Sequence, residues 1–182
     1  MHLQEESEFI QELLNPKTQN QAFEKLLIQY QKPLYNHIRT IVISHDDTDD
    51  VLQNTFLKVY QYLKTFKGES KLFSWMYRIA TNEALTFLKQ KARKNGVSSE
   101  TIQNKAIENL QSESYFDGNE IQIKLQKALV ILPEKQQLVF KMKYFDELKY
   151  EEISEILGTS VGALKASYHH AVKKIESFVI KD

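Results

Sequence analysis

Residues 150–180 read YEEISEILGTSVGALKASYHHAVKKIESFVI, and this stretch decides the fold. Ile153, Ile156 and Leu157 recur at helical spacing, and Gly158 follows them. Glycine adopts the left-handed backbone that ends a helix without steric cost. Thr159-Ser160 then supplies the cap of a second helix. In that helix Val161, Leu164, Tyr168, Ala171, Val172 and Ile175 fall on one stripe. Gly162, Ala166, His169, His170 and Lys173 occupy the other side, with Lys165 at its edge. Two helices across a short glycine turn make a helix-turn-helix. Small residues beside cations let such a helix enter a major groove and reach phosphates and base edges. The pattern equally describes a helical hairpin with a solvated outer face, so both readings stand at this point. His169-His170 is no metal pair, because adjacent helical residues diverge by about 100°.

The rest of the chain is helical too. Five glycines and three prolines in 182 residues leave little room for hairpin turns. Apolar spacing predicts a short helix up to Asn15-Pro16 and a second over about residues 20–43, which Pro33 kinks or divides. A third starts near Asp47-Thr48 and runs to about Thr65, and a fourth, with Ser70 as its cap, spans about 71–92. From 93 to 118 the chain turns polar, with few and scattered apolar residues, and reads as a flexible linker with room for a short helix. Pro133 suits the first turn of a further helix. The expected fold is all-α: a tail over 1–19, a helical domain over 20–92, the linker over 93–118 and a second helical domain over 119–182.

Composition narrows the function. Basic and acidic residues balance at 24 each, so any nucleic-acid surface must be local. There is no cysteine, which excludes thiol catalysis and cysteine-ligated metals and fits a reducing cytoplasm. The acidic N-terminus lacks the form of a signal peptide, and no run approaches the ~20 apolar residues of a membrane span. No nucleophile–base set, phosphate loop or metal cluster emerges. The expectation is a non-enzymatic cytoplasmic protein without cofactor, metal or membrane insertion.

Local charge is uneven. Residues 64–94 hold eight basic side chains against two acidic ones. On a helix, Lys71, Trp75, Arg78, Asn82 and Lys89 share a sector of about 60°. A ring flanked by cations and an amide suits a single strand, with bases on the ring and phosphates on the cations. The alternative is that the chain's one tryptophan packs beneath another helix. The helix before it opens with Asp46, Asp47, Asp49 and Asp50, which suit a helix N-terminus. Its core face is Leu52, Phe56, Val59, Tyr60 and Leu63. Opposite lie Asp50, Gln53, Asn54 and Gln61 with Leu57 in their midst, the look of a protein contact.

These parts together resemble a known family. DDTDDVLQNTFLKVYQYLKTFKGESKLFSWMYRIATNEALTFLK, residues 46–89, resembles region 2 of RNA polymerase sigma factors, and LPEKQQLVFKMKYFDELKYEEISEILGTSVGALKASYHHAVKKI, residues 132–175, resembles their region 4. The size and order match the extracytoplasmic-function (ECF) group. The resemblance implies that Asp50, Gln53, Asn54 and Leu57 dock on the β′ clamp coiled coil of core RNA polymerase. It implies −10 DNA contacts by Lys67, Ser70, Lys71, Trp75, Arg78 and Asn82, the loop near Phe66–Lys71 capturing a flipped base. It assigns −35 readout in the major groove to Ser160, Gly162, Lys165, Ala166, His169, His170 and Lys173. Implied partners are core polymerase, including its β flap, promoter DNA, and in some members an anti-sigma factor.

One departure bears on specificity. Many relatives carry arginine where this chain has Ser167 and His170, so −35 readout is expected to be weaker or differently specified. Two rivals are a stand-alone helix-turn-helix regulator, which leaves the 66–89 stripe unexplained, and a protein-binding adaptor, which leaves the sequence from Gly158 onward unexplained.

Overall fold

The computed structural model describes residues 3–112 and 120–181. Among these residues the regular elements are helices: α1 (Leu3–Leu14), α2 (Gln19–Val42), α3 (His45–Tyr62), α4 (Leu72–Asn95), α5 (Ser99–Ser112), α6 (Glu120–Val130), α7 (Glu134–Tyr144), α8 (Tyr150–Leu157) and α9 (Val161–Lys181). A 3-10 turn over Leu63–Thr65 extends α3. The all-α architecture agrees with the expectation.

The termini show why these segments are helical. Ser44 caps α3, its Oγ accepting from the Asp47 N–H, so the cap precedes the Asp47-Thr48 pair expected from sequence. Pro33 lies inside an unbroken α2 rather than dividing it. Helix α4 starts at Leu72 after Lys71, and the expected Ser70 cap is not used. The Glu6 carboxylate of α1 accepts the Leu72 N–H at 2.7 Å instead. Gly96 (φ +65°) and Gly158 (φ +61°) end α4 and α8 in the left-handed conformation, where a Cβ would be strained.

Helices α2, α3 and α4 pack around Leu26, Leu34, Ile38, Val51, Val59, Met76, Ala80 and Ala84, all buried. Helices α6, α7 and α9 enclose a smaller core of Ala128, Leu129, Phe140, Ala171 and Ile175. The segment expected as a flexible linker differs from that reading within the described residues. Helix α4 runs on to Asn95, and α5 packs against α4 and α6. Its Ile107 meets Ile43 and Val130 in a third apolar cluster. That contact covers Ile43, a β-branched residue held at φ +72°. The linker's remainder, 113–118, lies outside the described residues.

Helix α7 joins the two halves. Phe140 faces the α9 side, where its ring stacks on Tyr168 at 5.6 Å. Leu138, Val139 and Met142 belong to the large cluster that joins the core of α1–α4 to Ile153, Ile156 and Leu164 of α8 and α9. Helix α7 is thus apolar around most of its circumference, as a helix between two layers must be.

A buried polar seam follows the same boundary. The Gln103 amide donates to the Ile41 carbonyl at the end of α2 (2.8 Å) and to Gln137 Oε1 (3.4 Å). Gln137 donates to the Leu129 carbonyl at the end of α6, satisfying a terminal group no intrahelical partner reaches. Lys141, only 1% exposed, donates to Gln137 Oε1 at 3.0 Å. Burial lowers the Lys141 ammonium to about 7, a shift that nearby Asp146 opposes. Among the described residues no buried side-chain polar atom lacks a partner.

Lys141 sets a pH dependence. Unfolded, it titrates near 10.5, and folded near 7. Between those values the unfolded chain holds a proton that the folded chain lacks, so stability rises with pH across this window. Lys141→Met should stabilise the protein at pH 7 by about 1–3 kcal/mol. Urea unfolding from pH 7 to 10 should also show a flatter rise than in the parent.

Candidate polymerase and promoter surfaces

Three faces carry the residues singled out in the sequence. On α3, Asp50, Gln53, Asn54 and Leu57 are all exposed, and Leu57 is 55% accessible. Leu52, Phe56 and Val59 turn inward, with Leu63 buried in the following 3-10 turn. Tyr60 departs from the expected core set: it is 43% exposed, its ring edge-on to Phe23 at 5.0 Å. The acidic start is held by ion pairs, with Asp47 bridged to Lys91 of α4 at 2.5 Å and Asp49 to His45 at 3.9 Å.

On α4, Lys71, Arg78, Asn82 and Lys89 are exposed, while Trp75 is half-buried. The tryptophan thus lies neither wholly on the outer face nor wholly packed away. Its ring rests on the core and on Phe66, centroids 5.0 Å apart, and part of it reaches solvent. Phe66, buried, ends the 3-10 turn and starts the loop with Lys67, Gly68, Glu69 and Ser70. Lys67 is exposed and Ser70 half-buried. A groove runs between this loop and α1, lined by Glu6, Ser7, Ile10, Phe66 and Ser70, with Glu155 of α8 at its edge. Part of the cationic excess is committed to structure, since Lys89 pairs with Glu134 at 3.1 Å and Lys91 with Asp47.

On α9, Leu164, Ala171 and Ile175 are buried as expected. Ser160 is the cap, its Oγ accepting the Ala163 N–H at 3.4 Å. Gly162, Lys165, Ala166, His169, His170 and Lys173 are all exposed on the outer side. Lys165 Nζ also lies 5.7 Å from the Tyr150 ring centroid. The glycine turn before α9 has the helix-turn-helix form.

Sequence reasoning missed what covers α4. Ser74, one turn from Arg78, donates to the Glu155 carboxylate at 2.6 Å. Arg78 donates through Nε to the Ile156 carbonyl at 3.3 Å and through Nη2 to the Glu155 carbonyl. Nearby, His37 of α2 is fully buried, with Nδ1 2.6 Å from Asp146 Oδ2 and Nε2 2.8 Å from Thr81 Oγ1. The Thr81 hydroxyl donates its one proton to the Tyr77 carbonyl. It therefore accepts from Nε2–H, and the His37 ring ties α2 to Thr81 of α4 and to Asp146 after α7. Burial, then Asp146, pushes the adjacent Tyr77 phenol far up. The one hint in sequence was a lysine inside the apolar run LVFKM.

The arrangement has known counterparts. Residues 26–94 match the family model for Sigma-70 region 2, and residues 122–175 match that for Sigma-70, region 4. The chain belongs to the sigma-70 family. The ECF RNA polymerase sigma-E factor of Escherichia coli K12 is 28% identical over 173 residues, covering 90% of this chain and 89% of that protein. The RNA polymerase sigma-H factor of Pseudomonas aeruginosa is 28% identical over 163 residues, covering 85% and 84%. Among solved structures, CnrH in complex with the cytosolic domain of CnrY shares the fold at TM-score 0.71 and 17% identity, over 97% of this chain and 98% of that one. RpoE of Bartonella quintana, in complex with the anti-sigma factor NepR, gives 0.64 and 18%, over 88% and 98%.

The chain is an ECF sigma factor. Such factors are non-enzymatic and give RNA polymerase promoter-specific initiation. Among the described residues no helix is long and apolar enough to cross a membrane.

The Glu6 contact is open to test. Glu6→Ala removes the carboxylate from the first free N–H of α4. It should cost about 1 kcal/mol of stability, in the range of a lost helix cap. Hydrogen exchange at the Leu72 amide should accelerate by more than at the buried α2 amides, which follow global stability.

Proposed function

We propose that this sigma factor docks on the β′ clamp coiled coil through Asp50, Gln53, Asn54 and Leu57, reads the −10 element with region 2, and reads the −35 element with α9. The observation that carries the reading is the joint exposure of the singled-out residues on α3 and on α9. Leu57, an apolar side chain more than half exposed among hydrogen-bonding neighbours, is suited to a protein contact.

On the −10 side, Lys67, Ser70 and Lys71 border the groove beside Phe66, whose size and apolar floor suit an extruded base. Trp75 offers part of a ring face, Arg78 a cation and Asn82 an amide along one line of α4. Trapping an unstacked base repays the few kcal/mol of unstacking, so melting follows from binding without covalent chemistry. On the −35 side, Gly162 and Ala166 permit close approach, Ser160 and His169 can reach base edges, and Lys165 and Lys173 can meet phosphates. His170, where relatives carry arginine, gives that face less fixed charge. A flap contact for region 4 and a cytoplasmic setting complete the reading. The anti-sigma factor bound to the Bartonella relative supports a partner of that kind for this chain.

Two measurements test this. Leu57→Asp should weaken binding to core polymerase about tenfold or more, as expected for a central interface residue, with the circular dichroism spectrum unchanged. On promoters taken from upstream of the chain's own operon, a Trp75→Ala, Asn82→Ala variant should bind core normally but fail to form permanganate-reactive open complexes. Parent protein that does not bind core would sink the docking assignment. Open complexes formed equally by the double variant would remove α4 from the melting role.

A further inference from the structure

We propose that the cavity where α4, α5 and α7 meet is a binding site for a small primary amine, held as its ammonium ion with an aliphatic stem. The cavity takes no residue assigned to polymerase or promoter. Helix α5, which supplies its polar wall, lies between the two stretches that match the sigma family models.

The cavity holds about 180 Å³. One water takes about 30 Å³ of liquid, so a ligand of roughly six non-hydrogen atoms fits. Leu85 and Leu88 of α4, with Val130 and Leu132 at the end of α6 and in the turn after it, form an apolar wall. Leu88, Val130 and Leu132 are buried, and Leu85 is half-buried.

Gln103 and Glu100 of α5 form the polar wall. Gln103 is only 4% exposed, and both of its hydrogen bonds run through Nε2, to the Ile41 carbonyl and to Gln137 Oε1. Those two acceptors fix the amide, because turned over its oxygen would face oxygens. Gln137 Oε1 is itself fixed as an acceptor by Lys141. Gln103 Oε1 is therefore left without a donor among the described residues. No enclosed side-chain polar atom of those residues lacks a partner, so this oxygen opens on the cavity.

Charge selects the ligand. Lys89 and Glu134, also on the cavity, pair with each other at 3.1 Å. Glu100, exposed at the rim, has no cation beside it among the described residues. Side chains at i and i+3 of a helix stand about 5–6 Å apart between Cβ atoms. One ammonium, with its three donors, can thus bond Glu100 and Gln103 Oε1 together. A carboxylate there would face two acceptors. An aliphatic stem on the ammonium leaves water for the wall of leucines and valine, which is favourable in proportion to the area buried. Because several helices line the cavity, occupancy stabilises their packing by mass action.

The test uses the full chain, isotope-labelled and titrated at pH 7 with isopentylamine, while amide chemical shifts are followed. Isopentanol and isovalerate carry the same stem with a neutral or an anionic head. The expected result is saturable shifts centred on the amides of Leu88, Gln103 and Leu132, with no binding of isovalerate. Binding should be at least about tenfold weaker for isopentanol, and for the amine with Glu100→Gln, which keeps an acceptor and removes the charge. Glu100 is exposed, so that variant should keep the parent spectrum. Leu85→Trp, which fills the apolar wall and leaves Glu100 and Gln103 in place, should block the amine. Equal binding of amine and alcohol, or equal binding of the amine by parent and Glu100→Gln, would overturn the ammonium site. Shifts that do not saturate, or that centre on another surface, would remove the cavity as the place of binding.

Discussion

Helix α7 has buried side chains on every side, and the rest of the molecule is arranged to cover it. Phe140 packs with the α6–α9 cluster, while Leu138, Val139 and Met142 lie in the cluster shared by α1–α4 and the α8–α9 turn. Fully burying an aliphatic or methionine side chain contributes about 1.5–3 kcal/mol. Three such residues on one face hold α7 firmly in that cluster.

The polar seam gives this packing its register. Apolar faces slide, whereas buried hydrogen bonds have one geometry and cost free energy when unmade. Gln103 and Gln137 close the free ends of α2 and α6, and Lys141 leans on Gln137. His37 fixes Asp146 against α2 and Thr81 of α4. Lys141 and the His37–Asp146 pair place polar side chains inside this boundary. Neutral lysine tolerates burial far better than the ammonium does, which is why its shift is downward.

The same boundary explains why the stripe on α4 is ambiguous when viewed alone. Its cations serve two masters: Lys89 and Lys91 brace the fold through Glu134 and Asp47, and Arg78 is engaged by α8. Trp75 is half core and half surface, resting on Phe66. A side chain so placed costs little to hold ready, because the core fixes its rotamer.

The sequence by itself determined the helices, their faces and the family. Helical periodicity is local, so the inward residues of α9 and, Tyr60 apart, of α3 were legible, and Gly158 with Ser160 marked the turn. The exposed sets on α3 and α9 followed from the same periodicity. Local signals misplaced what depends on distant chain: Ser70 was the evident cap for α4, yet Glu6 of α1 supplies it from 66 residues away. A short helix was allowed for in the polar segment 93–118, but its packing was not legible, because α5 is held by Ile102 and Ile107 buried against other helices. Only the tertiary structure decided that Lys141 is buried, that His37 meets Asp146, and that the end of α8 lies on Arg78. Each is a contact between segments far apart in the chain, and periodicity says which face a residue occupies but never what that face will meet.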